Sequence, residues 1–347
     1  MKKTMCLIIA LITLLVLPNI AANAININHE NLQVLQSGCI TLNDSDILTP
    51  HKLKLGDRVG VIAPANTGTK DKINMAIKIL KKAGFVPVIS DDIDCGGYLG
   101  DPAGEKRANA FNKLVADDTI KAIICLRGGY GSMQILDKID YKKFRENRPI
   151  LVGYSDITAL HSAIYNKAHV ITFHGPMLSS NYKQDKSFEC LFKMLTNDLE
   201  SFDLRNIDNS SFKVLKEGTA KGQIVGGNMV LISSLMGTDY EIDTDGKILF
   251  LEELEEPPYK LDRILWQLKL AGKFDNVAGI IIGDIYECDD GDGSTLKGIL
   301  EFFDRNVDVP VIYNVHAGHD VNPITIPLGA EACIHGDYIS LEQCVVE

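Results

Sequence analysis

The chain has 347 residues, of which 46% are hydrophobic, 23% charged and 7% aromatic, with a formal net charge of −11. That length suits about two domains of roughly 100–200 residues each, and the composition is that of a globular protein with a sizeable core. The acidic balance argues against nucleic acid and anionic membrane surfaces as partners and leaves small molecules, cationic or zwitterionic ones among them.

Lys2 and Lys3 precede the apolar run CLIIALITLLVLP, and Ala22, Asn23 and Ala24 follow it. A basic start, an apolar core and an A-x-A-like site make residues 1–24 a secretory signal peptide cleaved after Ala24. Pro18 and Asn19 stop the run short of the ~18 apolar residues that an anchor needs. Cleavage removes two lysines and takes the net charge from −11 to −13. The expected location is therefore outside the inner membrane, in the periplasm, with no membrane attachment after cleavage; without a working signal it is the cytoplasm. Cys6 leaves with the signal, and the other seven cysteines form no C-x-x-C pair. A structural zinc site is thus disfavoured, and although export permits disulfides, an odd number leaves at least one thiol free.

Residues 25–50 are polar and weakly patterned, as in a mobile mature N-terminus. From 51 to 185, apolar strands such as DRVGVIAPA, IKAIICLRGG and PILVGYS alternate with amphipathic helical stretches. In KDKINMAIKILKKAGF, Ile73, Ala76, Ile77 and Leu80 recur at helical spacing before Gly84. MQILDKIDYKKFRE reads as one further helix. Such alternation predicts β/α units on a parallel sheet of Rossmann or flavodoxin-like type. The stretch 186–215 is polar and reads as a short helix and a linker. The region 216–347 is richer in strands, broken by the amphipathic YKLDRILWQLKLAGKF.

The serine of GYSD, Ser155, falls where a buried strand turns into a helix. Either it caps that helix, or it is a nucleophile exposed at the carboxyl end of a parallel sheet, where open α/β folds bind ligands. The next amide opens a helix and is a free donor suited to an oxyanion. The second glycine of a G-x-S-x-G elbow is absent. A serine nucleophile needs a histidine base and a carboxylate. His316 and His319 share a loop after PVIYNV, and Glu252 directly follows the apolar ILFL, whereas Glu253, Glu255 and Glu256 read as solvated loop charges. The loop LRGGYGS, Arg127 to Ser132, offers closely spaced amides but no nucleotide-binding order of glycines. DGDGSTLKGILE, Asp290 to Glu301, matches a calcium loop only in part: Thr295 stands where glycine is needed, so a polar turn with Ser294 capping the next helix is the better reading.

Taken in order, GDRVGVIAPA, LRGGYGS, GYSDITAL, FHGPM, GGNMVLISSLMGT, LFLEELEEPPYKLDRILWQL and GHDVNPITIPLGA resemble the LD-carboxypeptidase family of serine peptidases over about residues 55–335. The family includes muramoyl-tetrapeptide carboxypeptidases and microcin C immunity peptidases. The resemblance implies a second, swivelling β-barrel-like domain after the first. It implies Ser155 as nucleophile, His319 as base, Glu252 as its orienting carboxylate and His316 as a bystander. It also implies an oxyanion hole from the amides of Asp156 and Gly129, no metal or organic cofactor, and a homodimer. Arg127 is the candidate for binding a substrate carboxylate. The expected reaction is release of terminal D-alanine from murein tetrapeptides. The alternatives are hydrolysis of a peptidyl- or aminoacyl-nucleotide amide by the same triad, and an exported peptide-binding protein without turnover.

Overall fold

The computed structural model describes residues 47–91, 93–96, 103–180, 186–197, 202–288, 293–320 and 322–347. The expected signal peptide, its cleavage site and residues 25–46 lie outside the described residues.

Five strands, β1 (Arg58–Ile62), β2 (Val86–Ile89), β3 (Ile120–Cys125), β4 (Ile150–Gly153) and β5 (Thr172–His174), form a parallel sheet in the order β5-β4-β3-β1-β2. This is the doubly wound order in which the chain reverses direction across the sheet between β1 and β3, and ligands bind beyond the strand ends at that point. The strands read as continuous apolar runs because both faces are covered. On one face Val59, Val61, Ile124 and Val152 pack with Ala76 and Leu80 of the helix Lys70–Lys82. On the other, Ile62, Ile123, Cys125 and Leu151 pack with Phe111, Phe144 and Leu160 from three further helices. The expected single helix over 133–146 is two pieces, a 3-10 turn Ser132–Lys138 and the helix Tyr141–Asn147. Asp140 breaks them, its carboxylate accepting from the Lys143 amide at 2.9 Å as an N-cap.

The remaining chain contributes β6 (Phe202–Leu204), β7 (Lys213–Lys216), β8 (Thr219–Asn228), β9 (Ile248–Leu254), β10 (Gly279–Tyr286), β11 (Val311–Tyr313), β12 (Ile326–Leu328), β13 (Glu331–His335) and β14 (Tyr338–Leu341). All but β12 join a second, curled sheet in the order β6-β14-β13-β8-β9-β10-β11-β7. β8 to β11 are parallel and the outer strands antiparallel. β12 crosses to the first sheet and pairs antiparallel with β5, Ile326 opposite His174. The inner residues Ile224, Ile248, Phe250 and Ile281 of the second sheet share one core with the first sheet.

Two expectations about the segments change. The linker 186–215 is built into the fold: the helix Lys186–Thr196 buries Phe188, Leu191 and Leu195 in the shared core, and β6 and β7 are the outermost strands of the second sheet. Residues 47–50, at the end of the segment expected to be mobile, are built into the fold. Leu48 bridges Val170, and the Lys52 amide and Pro50 carbonyl pair with Glu347 at 2.7 and 3.0 Å. At the calcium-like stretch, residues 289–292 lie outside the described residues; the following helix starts at Ser294 with Gly293, not Ser294, in the cap position.

Candidate active site

β4 ends at Gly153, and the chain turns through Tyr154 into one 3-10 turn, Ser155–Ile157, and then the helix Thr158–Ala168. Ser155 is half-buried and holds φ at 64°, a left-handed conformation that costs a residue with a Cβ about 1 kcal/mol or more. It caps nothing: the helix N-cap is Ile157, and neither helical start carries a side-chain capping bond. The strained corner therefore presents the hydroxyl rather than spending it on the backbone.

The loop after β3 comes up against this corner. A Cβ on Gly128 would lie 3.1 Å from the Ser155 Cβ, tighter than an ordinary contact, so glycine eases the close approach of this backbone to the serine. Gly129, at φ 119°, is exposed and lies against Asn66 of the loop after β1. The buried Asp156 carboxylate ties the two segments, accepting from the Ser132 amide at 2.8 Å. Burial pushes the Asp156 carboxyl up, while bonds from Ser132 and Gly131 and the Arg107 charge pull it back in part. Arg107, 1% exposed, donates to the carbonyls of Pro64 and Gly131 and to Gln134, bracing both loops from beneath.

The second sheet supplies a carboxylate–imidazole pair. Glu252, in β9, has no exposed surface, and its Oε2 lies 2.7 Å from His319 Nδ1. Gly318 at φ 129° makes that approach possible, since a Cβ there would sit 2.6 Å from the same oxygen. Burial alone would hold the His319 pKa down, but Glu252, with Glu253 and Asp284 behind it, raises it above the ordinary histidine value. The Tyr154 ring, next to Ser155, stands edge-on to the His319 imidazole with centroids 4.8 Å apart. The helix after Ser155 docks on the same sheet: Thr158 Oγ1 accepts from the Asn228 amide at 3.1 Å, and Gly227 leaves room for it. Ser155 and the Glu252–His319 pair thus belong to two sheets joined at this seam.

Glu253 is not the solvated charge expected of it. It is 3% exposed and accepts from the Asn228 side chain at 2.7 Å and the Val230 and Leu254 amides at 2.9 Å each, anchoring the start of the helix Met229–Ser234. Burial and then the neighbouring Glu252 push it up to about 7. Glu255 is exposed as expected. His316 faces away toward Asp208, 3.8 Å off. Arg127 is half-buried at the end of β3; burial and, after it, the Arg127 charge hold the Lys72 ammonium below its ordinary range. Among the described residues no group of three or more His, Cys, Asp or Glu side chains is placed to hold a metal ion. Sequence reasoning gave no role to Asn66, Arg107, Asp284 or His174. His174 sits in FHGPM, where its place in an apolar strand was the only available signal.

A serine raised at the ligand-binding edge of a doubly wound sheet, opposite a buried carboxylate–imidazole pair, is the equipment of a serine hydrolase. The chain belongs to the LD-carboxypeptidase family: residues 59–175 match the model of the LD-carboxypeptidase N-terminal domain and 221–334 that of its C-terminal domain. It is 36% identical over 293 residues to a probable murein peptide carboxypeptidase of Bacillus subtilis, covering 82% of this chain and 91% of that one. It is 27% identical to the microcin C7 self-immunity protein MccF of Escherichia coli, over 82% of this chain and 92% of that protein. Among solved structures, the MccF-like protein of Bacillus anthracis superposes with a TM-score of 0.76 at 27% identity, over 85% of this chain and 99% of that chain.

Proposed function

We propose that the protein is a serine-type LD-carboxypeptidase that releases the terminal D-alanine of murein tetrapeptides, with Ser155, His319 and Glu252 as its triad. The observation that carries this reading is the 2.7 Å contact between buried Glu252 and His319, joined through Tyr154 to the strained Ser155 corner. Membership of the family and the similarity to a murein peptide carboxypeptidase support the substrate class.

In this mechanism His319 takes the Ser155 proton as the hydroxyl attacks the terminal L,D-peptide carbonyl. The amides of Asp156 and a glycine of the 128–131 loop hold the oxyanion. His319 then returns the proton to the departing D-amino acid, and water, activated by the same imidazole, hydrolyses the acyl-enzyme. Glu252 keeps the Nδ1 proton in place and balances the imidazolium charge. A Cβ on Gly128 would meet Ser155, whereas one on Gly129 would meet Asn66, so the hole is formed by the loop as a whole. Arg127, with Lys72 beside it, receives the carboxylate that every carboxypeptidase substrate carries.

The test is mass spectrometry of the protein incubated with a murein tetrapeptide, beside Ser155→Ala. Loss of one D-alanine with the wild type alone is the expected result. Loss with neither would turn the question to aminoacyl-nucleotide amides, a reading that the similarity to MccF favours; equal loss with both would end the role of Ser155. Binding without turnover would fit the third reading, a peptide-binding protein. We further propose that the protein is exported, cleaved after Ala24 and works as a homodimer. Intact-mass measurement of the periplasmic fraction and sedimentation analysis check these points.

A further inference from the structure

The orienting carboxylate has two oxygens, and the triad uses one. Oε1 of Glu252 is fully buried and has no hydrogen-bond partner among the described residues. An unpaired carboxylate oxygen in an apolar interior is costly, and a carboxylate held at one oxygen alone can swing about its last bond. Facing Oε1 across 3.9 Å is Nε2 of His174. His174 is 1% exposed, and neither of its ring nitrogens has a hydrogen-bond partner among the described residues.

We propose that His174 is a positioning residue of the active site, donating Nε2–H to Oε1 of Glu252 and so fixing the carboxylate that aims His319. This rests on the triad reading above. Three observations point to it. His174 is in β5, between Gly153 of β4 and Ile326 of β12, so the strand that leads to Ser155 sets its height. Its ring is clamped edge-on by Phe250, centroids 5.0 Å apart, and Phe250 lies two residues before Glu252 on the same face of β9. Burial, then the charges of His161 and His319, hold the imidazole pKa well below the ordinary value, which favours the neutral form.

A neutral imidazole has one N–H, and the carboxylate decides where it goes. On Nδ1 it would leave the Nε2 lone pair facing Oε1, two acceptors against each other; on Nε2 it supplies the missing donor. The other titratable groups around this pair are His161, whose Nε2 is 2.9 Å from the Gly153 carbonyl, Tyr154, 6.0 Å away between ring centroids, and His319, with Glu253 and Asp284 beyond. None of them donates a hydrogen bond to Oε1. Closing the gap to hydrogen-bond length takes a shift of about 1 Å, and catalytic contacts commonly tighten in this way when substrate binds.

The test combines spectroscopy and kinetics. In ¹⁵N-histidine-labelled protein, with His174 assigned by its loss in His174→Gln, the ring should stay a neutral Nε2–H tautomer from pH 5 to 8. An Nδ1–H tautomer, or conversion to imidazolium in that range, overturns the proposal. On the substrate that the wild type turns over, His174→Phe should lower kcat about 10- to 100-fold, the worth of one hydrogen bond to a charged group, with KM within about twofold. His174→Gln, which keeps a donor, should regain part of the loss. An unchanged kcat in His174→Phe, or equal losses in both variants alongside a lowered melting temperature, overturns it in favour of packing. Should His174→Phe not fold, the tautomer of the wild type decides. That measurement needs no substrate, so inactivity of the wild type would count against the proposed function and not against His174.

Discussion

At the scale of single residues the site depends on a few positions where backbone conformation and proximity act together. Gly318 is one. Alanine there would suffer both the positive φ and a clash with Glu252 Oε2, so Gly318→Ala should move the carboxylate off His319 and reduce kcat by about 10²-fold or more, as small misplacements do. Steady-state kinetics with a circular dichroism control checks this. The pH profile follows from the raised pKa of His319. As the base of the proposed triad, His319 must be neutral to accept a proton, so kcat/KM should fall as the pH drops through that pKa, with a midpoint above the ordinary histidine value of 6.5. Glu252→Gln removes the charge that raises it. The acid limb should then move to lower pH while kcat falls on the order of 10³–10⁴-fold, the scale of an orienting carboxylate in a triad.

The residues also show where sequence reading works and where it stops. The strand-to-helix corner at GYSD marks Ser155 for attention, but the local pattern fits a helix cap equally well, and only the resemblance of the ordered motifs points to a nucleophile. The φ of 64° at Ser155 was not visible, because nothing in a string of letters reports a left-handed serine. Glu252 was singled out by the ILFL before it, yet Glu253 was misread: EELEE reads as surface, and only the structure shows that β9 is covered on both faces. Arg107 lies in a helix of mixed polarity, and its importance comes from loops distant in sequence, Pro64 and Gly131.

At the scale of elements, the glycine loop and the serine turn are held as a unit by Arg107 and Asp156. Replacing Arg107 by methionine keeps the stem but removes the side-chain donor to the Pro64 carbonyl and one of two donors to the Gly131 carbonyl, which keeps the Gln134 amide at 3.1 Å. At about 1–3 kcal/mol for an unsatisfied buried group, Arg107→Met should lower stability by roughly 1–3 kcal/mol in urea titration. Gly227 acts at the seam between the sheets, where a Cβ would approach Thr158 Oγ1 to 2.6 Å. Gly227→Ala should therefore loosen the helix after Ser155 from β8 and depress kcat more than it depresses stability. The alternation of strands and helices made the first sheet legible from sequence, since each β/α unit is local. The second sheet was only outlined, because its order joins strands far apart in the chain and the short β6, β7 and β12 carry too few residues for a period to show.

At the scale of the molecule the chain is closed by its own end. Val345 and Val346 are buried in the shared core, Glu347 pairs with Pro50 and Lys52, and its side chain meets Arg148 at 2.6 Å. Removing Val345–Glu347 forfeits two buried valines at about 1.5 kcal/mol or more each, and should lower the melting temperature by several degrees in calorimetry. Cross-bracing runs over the expected division at 216: β12 joins the first sheet beside β5, and Glu347 pairs with Pro50 and Lys52.

The crossing of β12 has a consequence in time. Ser155 is synthesised long before Glu252 and His319, and the strand that locks the last of them beside the first sheet follows only at residues 326–328. Under the proposed triad, a nascent chain therefore carries its nucleophile without a base until residue 319 has been added. In the proposed mechanism the proton relay is therefore assembled only once β12 has docked beside β5, and a chain stopped short of residue 319 lacks the base that Ser155 needs.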